Sequence, residues 1–500
     1  MQTLDRALRI GAPLVCILIL VALAAGVLRS VANWGWNNIR LARGIALWYG
    51  YSLYPGRDSR VPIIGTMHGP VPHLLYSCLA FLKDPTLLLI AGCTLSCLLY
   101  FGAVLWLHVR AGRSVAGAYG FFACTALLLT STGARYAGLT VHVDAFAMCC
   151  AVVAAGLLMR GGPLGAGTLS VSAVLVMLAV ASKQTMAPSA IALPCFVLMS
   201  DGKRAFARYV AVQIAAAASI FLAMLALFRP PRDLLFNTFT LAIQQPRTAS
   251  VAARMMLGLF QVRSELAAAA APLLVLIAVV ALSPGSIRGK IAKHRWLVFL
   301  WMAVLQLPVE LRAWSTDGGS TNHLGVVTLL VSLATTCGLV GLWRPNGNAT
   351  NEWTGLAARM LLIGMLLAYI PFPYEIFRDL RLVRTSATQV AYNYERQHPG
   401  RAYFPVNPLA ALLAEGRLTH LDAALFDREL AGFPINAEQF AAGLPSGYQL
   451  VAYPPGHAPR AAVLRELLKD KPLVEEPGLE GWSVYSIGPP VTRLTSGWQP

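Results

Sequence analysis

"TLLLIAGCTLSCLLYFGAVLWLHV" (86–109) runs for 24 residues without an aspartate, glutamate, lysine or arginine. A helix needs about 20 mostly apolar residues to cross the hydrocarbon core of a bilayer, so this stretch reads as a membrane span. Working outward, the same ruler picks out roughly 12–29, 116–133, 142–160, 166–182, 185–200, 209–228, 264–283, 297–311, 324–342 and 354–371. The chain therefore predicts a mainly α, polytopic membrane protein with about eleven spanning helices. Composition agrees: in 500 residues apolar types make up 56% and charged types 13%, with a mean hydropathy of +0.59. A soluble protein needs about 25% charged residues to solvate its surface, so a string of soluble domains is excluded.

The net charge of +17 does not point to nucleic acid. Before Pro371, 28 Lys and Arg stand against 10 Asp and Glu; after it, 12 stand against 13. The excess belongs to the membrane part, 1–371, where basic residues hold helix ends at lipid headgroups. Short loops carrying Arg6/Arg9, Arg110/Arg113, Arg160, Lys203/Arg204/Arg208, Arg288/Lys290/Lys293/Arg295 and Arg344 fall on one side, which the positive-inside rule makes cytoplasmic. The first span lacks a small-residue cleavage site and reads as a retained helix. An odd number of spans then exports the long first loop (30–85), a second long loop (229–263) and the tail (372–500). All nine cysteines lie in or beside apolar runs, as lipid-embedded small residues do. Asn348-Ala-Thr350 matches a glycosylation sequon but falls on the cytoplasmic side.

The tail has normal charge density and reads as a small soluble α/β domain. "AYFPV" (402–406), "YQLVAY" (448–453) and "WSVYSI" (482–487) are strand-like. "PLAALLAEG" (408–416), with proline near its start and glycine at its end, and "RAAVLRELLKD" (460–470) are helical.

Charge inside apolar helices is costly, so the few carboxylates of the membrane part are informative. Asp5, Asp201 and Glu352 sit on the cytoplasmic side; Asp58, Asp84, Asp144, Asp233, Glu265, Glu310 and Asp317 project to the exported face, near helix ends. "WGWNNIRLARGIALWYG" (34–50) reads as a helix lying in the interface, with Trp34, Trp36, Trp48 and Tyr49 at headgroup depth. Arg40 and Arg43, three apart, project together and suit a lipid phosphate; an ordinary anchoring helix is the plain alternative. His68 and His73 follow in "GTMHGPVPHLLYSCLAFL" (65–82), readable as structural or as catalytic. Asp144 opens the fourth span, where a helix cap is the simple reading. Lys183 stands between two spans with Gln184 and Thr185 as a donor cluster for phosphate, at a boundary where replacement by Met costs little burial. The loop "STDGGSTNHLG" (315–325), containing Asn322 and His323, suits a sugar or phosphate approached by backbone N–H groups.

At these residues the chain resembles the GT-C superfamily of polyprenyl-phosphate-sugar-dependent glycosyltransferases, which includes protein O-mannosyltransferases, lipid A aminoarabinose transferases and many bacterial relatives. "WNNIRLARGIALWYGYSLYP" (36–55) resembles the family's first-loop helix, and "HGPVPHLLYSCLA" (68–80) its proline-containing helix. "HVDAFAMCCAVVAAGLL" (142–158) and "SKQTMAPSAIALPCFVL" (182–198) resemble two of its spans. "GGSTNHLGV" (318–326) is a weaker match. The resemblance implies a transferase that moves a sugar from a polyprenyl-phosphate donor to a lipid, glycan or protein hydroxyl on the exported face of a bacterial inner membrane. It implies Asp144 or Asp58 as catalytic carboxylate, Lys183, Arg40 and Arg43 at the donor phosphate, and Asn37, Asn38, His68, Gln184, Asn322 and His323 at the substrates. The chain departs from the family at Asn37-Asn38, where relatives carry an acid that serves as base; an amide takes no proton at neutral pH. A divalent metal ion is compatible with this chemistry, but no compact ligand cluster argues for one. Two rival classes remain: an inactive GT-C scaffold that binds polyprenyl phosphates, and a transporter or flippase, which predicts charges at midspan.

Overall fold

The computed structural model describes residues 2–112, 115–246, 250–316, 322–343, 349–367, 385–444 and 447–488. Arg113, Asp317, the "GGST" part of the polar loop, Arg344, Asn348 of the sequon and the boundary at Pro371 lie outside these residues.

Within the described residues, every predicted apolar segment is mainly helical. In chain order the helices are α1 (Gln2–Asn33), α2 (Trp36–Ala46), α3 (Val71–Ser77), α4 (Pro85–Ala111), α5 (Val115–Thr130), α6 (Thr132–Leu139), α7 (Val143–Leu158) and α8 (Ala166–Ser182). They continue with α9 (Ala187–Asp201), α10 (Lys203–Leu227), α11 (Pro231–Leu235), α12 (Leu241–Gln244), α13 (Val251–Leu282), α14 (Ile287–Lys293), α15 (Leu297–Trp314), α16 (Asn322–Leu342) and α17 (Ala349–Leu367). By length and composition six of these are long and apolar enough to cross a membrane: α1, α4, α10, α13, α15 and α16. The α5–α6 pair makes a seventh if counted as one span bent by 104°. Helices α7, α8 and the Trp353–Leu367 part of α17 are shorter apolar helices. The protein is a multi-pass membrane protein.

Two boundaries differ from the sequence expectation, each for a physical reason. The 116–133 segment breaks at Ser131, whose side chain accepts the Ala134 N–H and caps a new helix. Helix α13 begins at Val251, about a dozen residues before the expected 264. The second long loop was expected to run to 263, yet Arg254 and Arg263 are carried inside a 32-residue helix. Glu265 is therefore near the middle of a long apolar helix, not at its end.

The chain divides into two compact units. The first comprises Met1–Val27, Leu95–Phe221 and Arg247–Leu382. At its centre is α16, 94% of whose apolar window is buried, whereas the corresponding window of α10 is 0% buried. Glycine permits the closest approach in this unit: a Cβ at Gly325 of α16 would stand 2.5 Å from the Gly133 carbonyl carbon of α6. Two backbones meet there without side chains between them, which fixes where the N-terminus of α16 lies.

The second unit comprises Leu28–Thr94, Leu222–Pro246 and Val383–Pro500. The first loop and the tail thus share one unit. The tail supplies α18 (Ala387–Gln397), α19 (Pro408–Glu415), α20 (Asp422–Leu430), α21 (Ala437–Ala442) and α22 (Ala462–Leu468), with β1 (Ala402–Tyr403), β2 (Leu450–Tyr453), β3 (Leu473–Val474) and β4 (Ser483–Ser486). The sheet order is β1-β2-β4-β3; β1 runs parallel to β2 in the register Ala402↔Leu450, and the other pairs are antiparallel. Tyr394, Phe404, Leu450 and Val484 form its core. Helix α19 ends as its sequence predicts, on Gly416 at φ 68°. Helix α2 packs on α3 and α19, and a Cβ at Gly44 would come within 2.7 Å of the His73 carbonyl oxygen. All of Asn37–Ala46 except Arg40 is buried. The helix is packed on most of its sides, while Trp34 and Trp48 at its two ends stay exposed.

Candidate functional site

The first unit gathers charge at three chain breaks. Between α6 and α7 the backbone turns extended at Thr140 and His142, so Asp144 enters the first turn of α7. Between α8 and α9 the chain leaves the helix at Lys183 (φ −145°, ψ 114°), and Pro188 restarts it from the first turn of α9. The third break precedes Asn322, the first residue of α16.

These breaks converge on one carboxylate. Lys183 Nζ donates to Asp144 Oδ2 at 2.9 Å, and Asn322 Nδ2 donates to the same oxygen at 3.0 Å. Asp144 is wholly buried and Lys183 is 1% exposed. His142 Nδ1 lies 3.1 Å from both the Asp144 main-chain N–H and Asp144 Oδ1, but one ring nitrogen cannot accept from the first and donate to the second. The extended backbone of His142 is that of a helix cap, so we assign Nδ1 as the acceptor. Asp144 Oδ1 is then a buried carboxylate oxygen with no hydrogen-bond donor among the described residues. Lys183 stands at the boundary between α8 and α9 as expected, but its replacement would not be cheap in burial. It is one of the largest fully buried side chains, and removing it would strand a carboxylate.

A second buried carboxylate stands beside the first. Glu310 of α15 is fully buried; its Oε2 accepts from His323 Nδ1 at 2.9 Å, and its Oε1 from Gln306 Nε2 at 2.6 Å. Gln306 also donates to the Thr185 carbonyl, in the turn that carries Lys183 and Gln184. Asn322 and His323, adjacent in sequence, thus hold one carboxylate each. Glu265 forms a third cluster, accepting from Ser131 Oγ at 2.6 Å and Thr328 Oγ1 at 3.1 Å. It pins the break between α5 and α6 to α16.

Four expected site residues are therefore brought together: Asp144, Lys183, Asn322 and, through Glu310, His323. Gln184 is next to Lys183 and half-buried. Sequence reasoning missed Glu310 and Gln306 as site residues. The available signal was their spacing, two polar groups at i and i+4 inside an apolar span.

The other candidates lie in the second unit and are used differently. Asn37 Nδ2 donates to the Ser30 carbonyl at 2.8 Å. Asn38 Nδ2 lies within reach of the Gly35 carbonyl, the Val406 carbonyl and Asn407 Oδ1, the last two at 3.2 Å. An amide that donates to carbonyls cannot be replaced by a carboxylate, which only accepts. Arg43 is buried and donates through Nε to the Ile64 carbonyl at 3.0 Å; burial lowers its pKa to about 10. Arg40 stacks over the Trp36 ring. His73 is buried, with burial and then Arg43 lowering its pKa to about 3, so it stays neutral. The His68 carbonyl accepts from Tyr54 Oη at 2.9 Å. Asp58 lies exposed in its turn, without a hydrogen-bond partner among the described residues.

Among the described residues, no group of three His, Cys, Asp or Glu side chains is placed to hold a metal ion.

Fold and charge distribution together define a polytopic membrane protein with the GT-C fold and a buried polar cluster at helix breaks. The chain superposes on ArnT from Cupriavidus metallidurans bound to undecaprenyl phosphate with a TM-score of 0.57, at 13% identity, over 95% of this chain and 97% of that one. On the apo state of the same protein the TM-score is 0.52 at 13% identity, over 95% and 98%. At this identity the likeness is one of fold. No family model and no curated protein matches the sequence.

Proposed function

We propose that the protein is an integral membrane glycosyltransferase that takes its sugar from a polyprenyl-phosphate donor and passes it to an acceptor hydroxyl on the exported face. The observation that carries this reading is the buried Asp144–Lys183–Asn322 cluster in a chain with the fold of a protein solved with undecaprenyl phosphate. In the proposed reaction Lys183 meets the donor phosphate and stabilises the leaving polyprenyl phosphate as its charge develops. Asp144 keeps that lysine charged and positioned within the membrane, and its Oδ1 offers an acceptor to the incoming hydroxyl. Asn322 and His323 hold Asp144 and Glu310, and Gln184, next to Lys183, completes the substrate-facing set in this reading. The proposal includes a cytoplasmic N-terminus and export of the tail.

A second reading, a scaffold that binds polyprenyl phosphate without turnover, is favoured by one observation: the first-loop amides Asn37 and Asn38 are committed to structural hydrogen bonds. One experiment separates the two. Purified protein is incubated with a panel of undecaprenyl-phosphate-linked pentoses and hexoses, and free undecaprenyl phosphate is measured. Release that depends on Asp144 and Lys183 supports the transferase. Donor binding without release supports the scaffold.

A further inference from the structure

The transfer reaction liberates a proton from the acceptor hydroxyl, and an ion-paired carboxylate is a poor place for it. Asp144 Oδ2 already takes two donors, one of them a lysine ammonium, so its lone pairs are occupied. The first-loop position where relatives carry an acid holds amides. Another group in the first unit has the geometry for the task.

His323 Nδ1 donates to Glu310 Oε2 at 2.9 Å. Glu310 cannot swing away, because Gln306 Nε2 holds its other oxygen and Gln306 Oε1 in turn accepts from Ser189 Oγ at 3.4 Å. Gln306 gives its Nε2 to two acceptors, Glu310 and the Thr185 carbonyl, which fixes which end of the amide is nitrogen. The carboxylate therefore fixes the imidazole tautomer: Nδ1 carries the hydrogen, and Nε2 presents a lone pair. His323 Nε2 has no hydrogen-bond partner among the described residues. The His323 side chain is 15% exposed, whereas Glu310 is 0%. A buried carboxylate, an oriented imidazole and an open Nε2 form the arrangement in which histidine acts as a general base. The neighbouring residue, Asn322, touches the Asp144–Lys183 pair, which puts the proton acceptor one residue from the phosphate side.

We infer that His323, oriented by Glu310, is the general base of this transferase. The inference rests on the proposed function. The acceptor oxygen attacks the anomeric carbon, a new C–O bond forms, and the bond from that carbon to the phosphate oxygen breaks. The electron pair leaves on the polyprenyl phosphate, and the acceptor's proton passes to His323 Nε2, where Glu310 stabilises the imidazolium. His323 is the catalytic residue; Glu310 is a positioning residue that acts through it.

The test follows release of undecaprenyl phosphate from the same donor panel, with water or an added acceptor as nucleophile, for wild type, His323→Gln, His323→Ala and Glu310→Gln. His323→Gln can still bond to Glu310 and guards against misfolding, which melting temperature monitors. The expected result is a loss of about 100-fold or more in kcat for both His323 variants with little change in KM, since general base catalysis contributes about 10²–10⁴. Glu310→Gln is expected to lose at least about tenfold in kcat. Its ¹⁵N-histidine spectrum should show the His323 ring shifting from a single Nδ1–H form toward a tautomer mixture, a change that a merely structural role would not produce. If wild type turns over and His323→Gln stays within about threefold, or if the wild-type ring is protonated on Nε2, the base assignment is overturned while the transferase reading stands. If wild type releases no polyprenyl phosphate from any donor, the transferase reading fails and this inference fails with it.

Discussion

Two regions of this molecule treat polar side chains in opposite ways. In the first unit, carboxylates stand inside the membrane part, Asp144 and Glu310 fully buried and Glu265 half-buried, each met by a different partner: a lysine for Asp144, a histidine for Glu310, hydroxyls for Glu265. In the first-loop helix of the second unit, the positions that resemble a family's acidic pair are amides, and their N–H groups are spent on main-chain carbonyls. The first region pairs its buried charge with charged or polar side chains. The second holds chain together. The difference teaches where to look for chemistry: a buried charge that a neighbour keeps charged is expensive to maintain, whereas a buried amide bonded to carbonyls is ordinary structure.

The largest expected effect breaks the comparison at its strongest point. Lys183→Met leaves Asp144 buried without its cation, and such a loss costs about 3–5 kcal/mol. Asp144→Asn strands the lysine in turn. The double variant Asp144→Asn/Lys183→Met should cost clearly less than the two single changes together, because the pair is removed as a unit. Thermal or denaturant unfolding in detergent measures all three. Strict additivity would mean that the two side chains do not share a buried interaction.

Next in size is Asn38→Asp. A carboxylate at 38 would face the Gly35 and Val406 carbonyls and Asn407 Oδ1 with nothing to donate. Leaving those buried acceptors facing an acceptor is expected to cost about 2–3 kcal/mol, and activity should not rise. A stable, more active Asn38→Asp would show that the first loop is an acid site in waiting.

The second unit also carries a pH signature. Glu395 is buried, and burial first, then its hydrogen bond to Glu415, pushes its pKa up to about 9. Its folded pKa lies above the unfolded 4.5, so the folded state holds the extra proton and stability falls as pH rises from about 4.5 toward about 9. His420 acts in the other direction. Its Nδ1 accepts from the Ile63 N–H at 2.9 Å, its ring stacks on Phe440, and burial lowers its pKa to about 4; its stabilisation is present above about 6.5 and is lost as pH falls toward about 4. Glu395→Gln should therefore flatten the alkaline decline in melting temperature and leave the acid side unchanged. An unaltered alkaline slope would remove Glu395 as its source.

How much of this was legible in the sequence follows from range. Each apolar run is a local signal, so the spanning helices could be read directly, as could the α19 helix with Pro408 and Gly416 at its ends. The break at Ser131 could not, because a serine cap inside an apolar run looks like one more small residue. Glu265 was placed near a helix end because the helix start was set too late, at 264, while Ser131 and Thr328 from elsewhere in the unit and Gln261, one turn back on the same helix, donate to it inside the span. Asp144, Lys183, Asn322 and His323 could be picked out singly by polarity at span ends. Their pairing could not, since 178 positions separate Asn322 from Asp144. The tryptophan-rich first-loop helix looked interfacial, because nothing local reveals that α3 and α19 cover it.

The smallest expected effect supplies the control for the central claim. Asp58 is an exposed carboxylate, and Asp58→Asn should change stability by less than about 0.5 kcal/mol. The decisive measurement is release of undecaprenyl phosphate from an undecaprenyl-phosphate-linked sugar by wild type, Asp144→Asn and Asp58→Asn, each shown to be folded. The account predicts turnover by wild type, a loss of about 100-fold or more in Asp144→Asn, and turnover by Asp58→Asn within about twofold of wild type. Full activity in Asp144→Asn together with its abolition in Asp58→Asn would contradict it, and would return the chemistry to the first loop.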